Sequence, residues 1–366
     1  MNLDDFVTYL RRGRSDRSAP HAETTTFMLT DPDRVITYSP ALTVVPTYEC
    51  FNRCTYCNFR AEPGQATWLS RSQLAEQLAR AKSHGLVEIL VLSGEVHPES
   101  PRRAAWLQHI VDICDYALQQ GLLPHTNVGP LSEMEMAQLR AVNVSMGLML
   151  EQMTPSLLQT VHRHAPSKVP ERRLAQIEQA GRLRIPFTTG LLLGIGESEH
   201  DRLETLRAIA QSHDRWGHIQ EVILQPHQPG HRQQQARSGF SAAALAEFVK
   251  TAKQYLPAEI TVQIPPNLIA DHQYVLTAIA NGARDLGGLG PKDEVNPDYH
   301  HPTPERLRPF LRSAGWQLRP RLPIYPQYDD WLTPQLQQRV KAWRGRLVEA
   351  PSPDLTPHPS YEAVSR

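Results

Sequence analysis

The chain has 366 residues, 40% of them hydrophobic, with 38 basic and 38 acidic side chains. That length supports a sizeable core, and a net charge of zero provides no global field toward nucleic acid or an anionic membrane. No apolar run approaches the ~20 residues of a spanning helix, and the opening Met1 to Asp5 lacks the basic-then-apolar pattern of a secretory leader.

Residues 1–38 are polar, carry Arg11, Arg12, Arg14 and Arg17, and are expected to form a solvated N-terminal extension. Leu42 to Pro46 reads as a short buried strand running into a cysteine-rich loop. Ser70 is placed to cap a helix with Leu74, Leu78 and Ala81 on one face, ending near Gly85. The strand Glu88–Ser93 follows, closed by Gly94, and then a helix from Trp106 to Gln120. Leu122 to Asn127 is a strand or its exit loop, Ser132 to Val142 a helix, and Val144 to Leu150 a strand.

A helix from Glu171 to Arg182, a strand from Pro186 to Leu193 and a helix capped by Ser198 continue the alternation. Ile219–Gln225 and Ile260–Ile264 read as strands around a helix from Ala242 to Tyr255. Asn267 to Asn281 reads as a helix and Ala283 to Gly287 as a last, weak strand. Strand followed by helix, about eight times over, predicts an α/β fold: a (β/α)8 TIM-type barrel, complete or nearly complete. The expected division is an extension over 1–38, a barrel over 39–300, a C-terminal helical extension over 301–349 and a disordered tail over 350–366. In the C-terminal extension, helices are expected over Glu305–Ala314 and from Thr333 to Val348, joined by a proline-rich link.

Cys50, Cys54 and Cys57 stand at a CxxxCxxC spacing, with Tyr56 before the third cysteine and Phe59 two residues after it. Thiolates are soft ligands for iron–sulfur clusters and zinc. A structural zinc site takes four closed ligands, commonly as two pairs. Here three lie in one loop, and Cys114 sits in an apolar helical pattern and reads as core. Three cysteines on a 4Fe–4S cluster leave one iron open, where the amino and carboxylate groups of S-adenosylmethionine (SAM) can chelate. The spacing resembles that of the radical SAM superfamily; a zinc loop or chance clustering is the competing reading. Three clustered cysteines of four also argue against a disulfide framework and for a reducing compartment, read as the cytoplasm.

Barrel enzymes place their sites at the C-terminal ends of strands. Ser93, Gly94 and Glu95 follow the second strand, and Glu95 can accept from an ammonium. Thr126 and Asn127 follow the third, and Glu151 the fourth. Arg173, a turn into the next helix, is placed to fork onto the SAM carboxylate, with Arg172 as a rival and a plain Glu151–Arg173 salt bridge as the alternative. Gly194 and Gly196 follow the fifth strand and resemble the glycine segment on which the superfamily's adenine lies against backbone. Gln225 and His227 end the sixth strand; Asp285, Gly287 and Gly288 end the eighth, and these five are the substrate candidates, with Asp285 as a mere loop cap the alternative. His162 and His164 read as surface or loop residues.

Longer segments carry a closer resemblance: Ser93 to Glu95, Pro124 to Ser132, Met146 to Glu151, His164 through Lys168 to Arg173, Gly190 to Glu197, Glu221 to Gln225, and Gly287 to Pro297. Over roughly residues 40–320 the chain resembles the 7,8-didemethyl-8-hydroxy-5-deazariboflavin synthase family, the CofG-type subunit. Leu286 and the run Gln225 to Gly230 depart from that family's usual pattern. The resemblance implies a lyase with one 4Fe–4S cluster on Cys50, Cys54 and Cys57, and SAM held by Tyr56, Ser93, Gly94, Glu95, Asn127, Glu151, Arg173, Gly194 and Gly196. It implies a 5′-deoxyadenosyl radical that takes hydrogen from a hydroxybenzyl adduct of 5-amino-6-(D-ribitylamino)uracil, followed by ring closure with loss of ammonia and an oxidation that yields the deazaflavin chromophore. The implied partners are a companion radical SAM subunit (CofH-type) that makes the adduct, and an electron donor such as ferredoxin or flavodoxin. Another radical SAM enzyme of the same barrel group and a non-catalytic metal-binding protein are the alternatives.

Overall fold

The strand that leads into the cysteine loop begins earlier than its sequence suggests. β1 spans Val35–Val44, although Pro40 within it argues for a later start, since proline cannot donate to a ladder. The carbonyl of Pro40 still accepts from Val87 N–H at 2.9 Å, and the register against the last barrel strand shifts between Thr37 and Ser39. The computed structural model describes residues 34–235 and 237–349; the expected tail over 350–366 and nearly all of the expected N-terminal extension lie outside them.

The remaining strands are β2 Glu88–Leu92, β3 Leu123–Asn127, β4 Ser145–Gly147, β5 Phe187–Leu193, β6 Ile219–Pro226, β7 Thr261–Gln263, β8 Asp285–Leu289 and β9 Gln317–Pro320. All neighbours pair in parallel, and β1 pairs with both β2 and β8. The eight strands therefore close into a (β/α)8 TIM-type barrel. Full burial of β5 on both faces explains its continuous apolar reading.

Helices α1 Arg71–Ser83, α2 Arg103–Gln119, α3 Glu133–Arg140, α4 Pro170–Arg182, α5 Glu199–Trp216, α6 Ala242–Tyr255 and α7 His272–Ala280 lie between successive strands. Ser70, Ser132 and Ser198 each accept from the N–H three residues on, in reciprocal capping boxes with Gln73, Glu135 and Asp201. The expected helix from Asn267 is instead a 3-10 turn over Pro266–Leu268, followed by α7 with Asp271 as its cap. Among the described residues no helix is long and apolar enough to cross a membrane.

The C-terminal stretch adds α8 Pro304–Ser313, β9 and α9 Pro334–Glu349. β9, unforeseen in the sequence, pairs with the first half of β1. The chain then runs beneath the barrel, where Leu322, Ile324, Tyr328 and Leu336 pack on Val87, Leu123 and Val144 at the strands' entry ends. This apolar floor leaves the opposite, C-terminal end of the barrel as the open one.

Candidate active site

The loop after β1 carries the three thiols. Cys50 N–H donates to Ala61 O at 3.1 Å and Cys57 N–H to Cys54 O at 3.1 Å, so the loop folds back on itself. All three cysteines are free and line one cavity of ≈ 300 Å³ at the barrel mouth. Burial pushes the Cys50 thiol up to about 11 and Cys54 to about 12, values that a bound cation would reverse. Cys114 lies elsewhere, fully buried in α2 near Thr126 and Asn143.

Ser93, Gly94 and Glu95 leave β2 on the cavity wall. A Cβ on Gly94 would stand 2.1 Å from Glu49 O, so only glycine fits there. Gly129 similarly makes room for Glu95, whose Cγ would be 2.4 Å from a Cβ at that position. Glu95 accepts from Asn52 Nδ2 at 2.9 Å and faces Arg173 Nη1 at 3.5 Å. Asn127, at the end of β3, also lines the cavity.

Glu151 has φ of 66°, a left-handed backbone rare for a residue with a side chain. This turns its carboxylate onto Lys168 Nζ at 2.5 Å, with Arg173 Nη2 at 4.0 Å. Burial raises the Glu151 carboxyl, but the Lys168 and Arg173 charges outweigh it and hold the group below the usual carboxylate range. Arg173 is buried while Arg172 is exposed, and Arg173 Nε is anchored on Met149 O at 2.7 Å. Two cations and two carboxylates thus converge beside the thiols.

On the far side of the cavity, Gln225 and His227 line the wall with Gln228, Gln233, Val295 and Asn296. His227 Nε2 lies 3.3 Å from Gln233 Oε1, and burial lowers its imidazole.

Five expected positions lie away from this cavity. Gly194 and Gly196 have positive φ, but their amides, with that of Ile195, are bound by Glu197 at 2.7–3.1 Å. The turn is closed on itself, so its backbone is not offered to an adenine; Leu192 is the β5 residue on the cavity wall. Asp285 opens β8 rather than ending it, which sets it at the barrel floor. There Arg321 forks onto it, Nε at 2.6 Å and Nη2 at 2.8 Å, and Nη2 also reaches Glu221 at 2.7 Å. A substrate role for Asp285 is therefore withdrawn. Gly287 and Gly288 face Gln263 and Ala41 within the sheet and leave the cavity wall to others.

Several wall residues carried no sequence assignment. Lys168 sits in the quoted segment before α4, and a lysine between the prolines that bound it was an available signal. Asn52, Asn58 and Arg60 flank the cysteines in the chain. His162, read as a surface or loop residue, is buried and meets Tyr56 OH at 2.9 Å through Nε2, whereas His164 is exposed.

The profile of the Radical SAM superfamily matches residues 44–209. A 7,8-didemethyl-8-hydroxy-5-deazariboflavin synthase of Trichormus variabilis is 60% identical over 314 residues, 86% of this chain and 92% of that one. Proteins of the same name from Synechococcus elongatus and Gloeobacter violaceus are 58% and 57% identical, covering 86% and 87% of this chain and 93% and 98% of their own. Among solved structures, the FeFe-hydrogenase maturase HydG from Carboxydothermus hydrogenoformans superposes with a TM-score of 0.64 at 17% identity, covering 91% of this chain and 81% of that one. Methylornithine synthase (PylB) gives 0.60 at 14%, with 82% and 87% covered. At such identities these two speak for the shared barrel alone.

Proposed function

The chain belongs to the 7,8-didemethyl-8-hydroxy-5-deazariboflavin synthase family, within the radical SAM superfamily, and we propose that it closes the deazaflavin ring from a hydroxybenzyl–diaminouracil adduct with loss of ammonia. Radical SAM enzymes use SAM and an iron–sulfur cluster. The finer assignment is one 4Fe–4S cluster on Cys50, Cys54 and Cys57. The donor set fits: three soft thiols on one cavity wall, Cys54 buried and Cys50 and Cys57 half-buried. When bound, the cluster and SAM supply a 5′-deoxyadenosyl radical.

The chain's own residues bind, orient and exclude water. In this reading Glu95 and Glu151 accept from the ammonium and ribose hydroxyls of SAM and Lys168 and Arg173 meet its carboxylate, a division supported by the convergence of these four charges on the cavity. Tyr56, Ser93, Gly94 and Asn127 complete that wall. Gln225 and His227 face the pyrimidine and its ribityl chain, whose alternating donors and acceptors need amide-like partners. The adduct comes from a companion radical SAM subunit, and a one-electron carrier such as ferredoxin or flavodoxin reduces the cluster. An oxygen-labile cluster suits the cytoplasm.

The observation that carries this reading is the meeting, in one cavity, of the three thiols, the four-charge cluster and the amide-bearing wall. Its test is an anaerobic reaction of the reconstituted protein with the companion subunit, tyrosine, 5-amino-6-(D-ribitylamino)uracil, SAM and reductant. Deazaflavin fluorescence that needs this chain supports the reading. Full fluorescence with the chain omitted contradicts it.

A further inference from the structure

Tyr56 stands between the second and third cysteines and lines the cavity. Its hydroxyl is engaged elsewhere, 2.9 Å from Nε2 of His162. The rings meet edge-on, with centroids 5.5 Å apart and planes at 67°. The contact is built into the backbone: Arg53 N–H donates to His164 O at 2.7 Å and Thr55 N–H to Val161 O at 3.1 Å, which sets the two segments in register. His162 is buried, and burial together with the Lys168 and Arg173 charges pushes its imidazole down to about 3. The ring is therefore neutral, and one of its nitrogens carries a free lone pair.

We propose that Tyr56 O–H donates to His162 Nε2, and that His162 is thereby a positioning residue that keeps the phenolic hydrogen out of the radical's reach. The proposal rests on the radical SAM reading above. A primary carbon radical takes hydrogen from a weak bond within reach. A phenolic O–H is weaker than the methyl C–H that its transfer would form, so a loose phenol on this wall is a rival to the substrate. In that side reaction the Tyr56 O–H bond breaks, the C–H bond of 5′-deoxyadenosine forms, and a phenoxyl radical stays on Tyr56. One hydrogen atom moves; for the cycle to repeat, the reductant of the assay supplies one electron and solvent one proton to restore the phenol. The bond to His162 also fixes the ring's plane, so Tyr56 presents its face and edge carbons, rather than its hydroxyl, to the cavity.

Two measurements test this. In the protein without cluster or SAM, 15N NMR of the histidine-labelled chain, with His162 assigned through a His162→Gln variant, should show Nε2 as the unprotonated acceptor. Tyr56→Phe should shift that signal. A protonated Nε2 in the unaltered protein overturns the proposal.

In D2O, the reconstituted enzyme turning over its adduct should release 5′-deoxyadenosine without deuterium, because the hydrogen comes from substrate carbon. His162→Ala should raise 5′-deoxyadenosine formed per deazaflavin about tenfold, the factor one hydrogen bond's bias supplies, and place one deuterium in it from the exchangeable phenol. Adding Tyr56→Phe to His162→Ala should remove that deuterium. His162→Gln, whose side-chain oxygen can accept from the same phenol, should restore coupling and so separate the lost bond from lost packing. Wild-type coupling and unlabelled product in His162→Ala overturn the proposal. If the unaltered protein cleaves no SAM, the functional reading fails, while the NMR measurement still decides the bond.

Discussion

Asn58, the residue after Cys57, donates from Nδ2 to Asp298 Oδ2 at 3.0 Å, joining positions 240 residues apart. The same amide accepts from Arg232 N–H at 2.8 Å, and Asp298 also accepts from His231 N–H at 3.0 Å. A Cβ on Gly230 would lie 2.6 Å from Asn58 Cγ, so the loop after β6 closes directly over this side chain. Asn58 thus ties the cysteine loop to both loops that rim the Gln225 and His227 side of the cavity.

Asn58→Ala should loosen that rim without unloading the cluster. Two part-buried hydrogen bonds are lost, and the expected effect is a KM for the adduct raised roughly tenfold or more. Iron content should hold. Hydrogen exchange over 228–234 and 291–301 should rise; unchanged exchange there would show that the latch does not hold the loops.

Replacing Cys50, Cys54 or Cys57 by alanine should abolish the 4Fe–4S absorbance and EPR signal after reconstitution, because three thiolates already serve four irons and none is spare. Cys114→Ser should keep full iron, since that thiol is buried in α2 away from the cavity. A cluster retained in Cys54→Ala would count against the ligand set.

Arg173→Ala and Lys168→Met should each weaken SAM binding by about 1.5–3 kcal/mol, the range for a charge-assisted hydrogen bond. Arg172→Ala, an exposed position, should leave it unchanged. Titration calorimetry on the reconstituted protein reads all three, and equal affinities across them would reduce the charge cluster to a structural role.

At the barrel floor, two carboxylates share one guanidinium. Asp285 takes the fork of Arg321, so burial leaves the second carboxyl, Glu221, pushed up from 4.5 to about 8. A raised carboxyl binds its proton more tightly folded than unfolded. Its contribution to stability is complete below about 4.5 and is lost as pH rises through about 8. Glu221→Gln should flatten the fall in denaturation midpoint between those limits. Arg321→Met, which strands the buried Asp285 charge, should destabilise the fold by roughly 3–5 kcal/mol; a midpoint equal to wild type would contradict the lock.

What the sequence made legible follows the range of the interactions involved. The cysteine loop, the helix caps at Ser70 and Ser198, and the strand–helix alternation are local, and each is readable from spacing alone. β8 was weak because Gly287 and Gly288 carry no β propensity; its start at Asp285 is set by pairing with Thr37 and by Arg321, 36 residues away. A shift of two residues along that strand moves Asp285 from the mouth to the floor. Gly194 and Gly196 were placed correctly in the chain, but the carboxylate of Glu197 that fills their amides was read only as a neighbour. Lys168 on Glu151 and Asn58 on Asp298 are meetings between loops, which no periodicity reports.

The most direct test of the account is the balance between SAM cleavage and ring closure. The reconstituted protein, supplied anaerobically with purified adduct, SAM and reductant, should form 5′-deoxyadenosine and fluorescent deazaflavin together, both lost when SAM is omitted or when Cys54 is replaced by alanine. Deazaflavin formed without SAM, or SAM cleaved steadily with the adduct left unchanged, would contradict it.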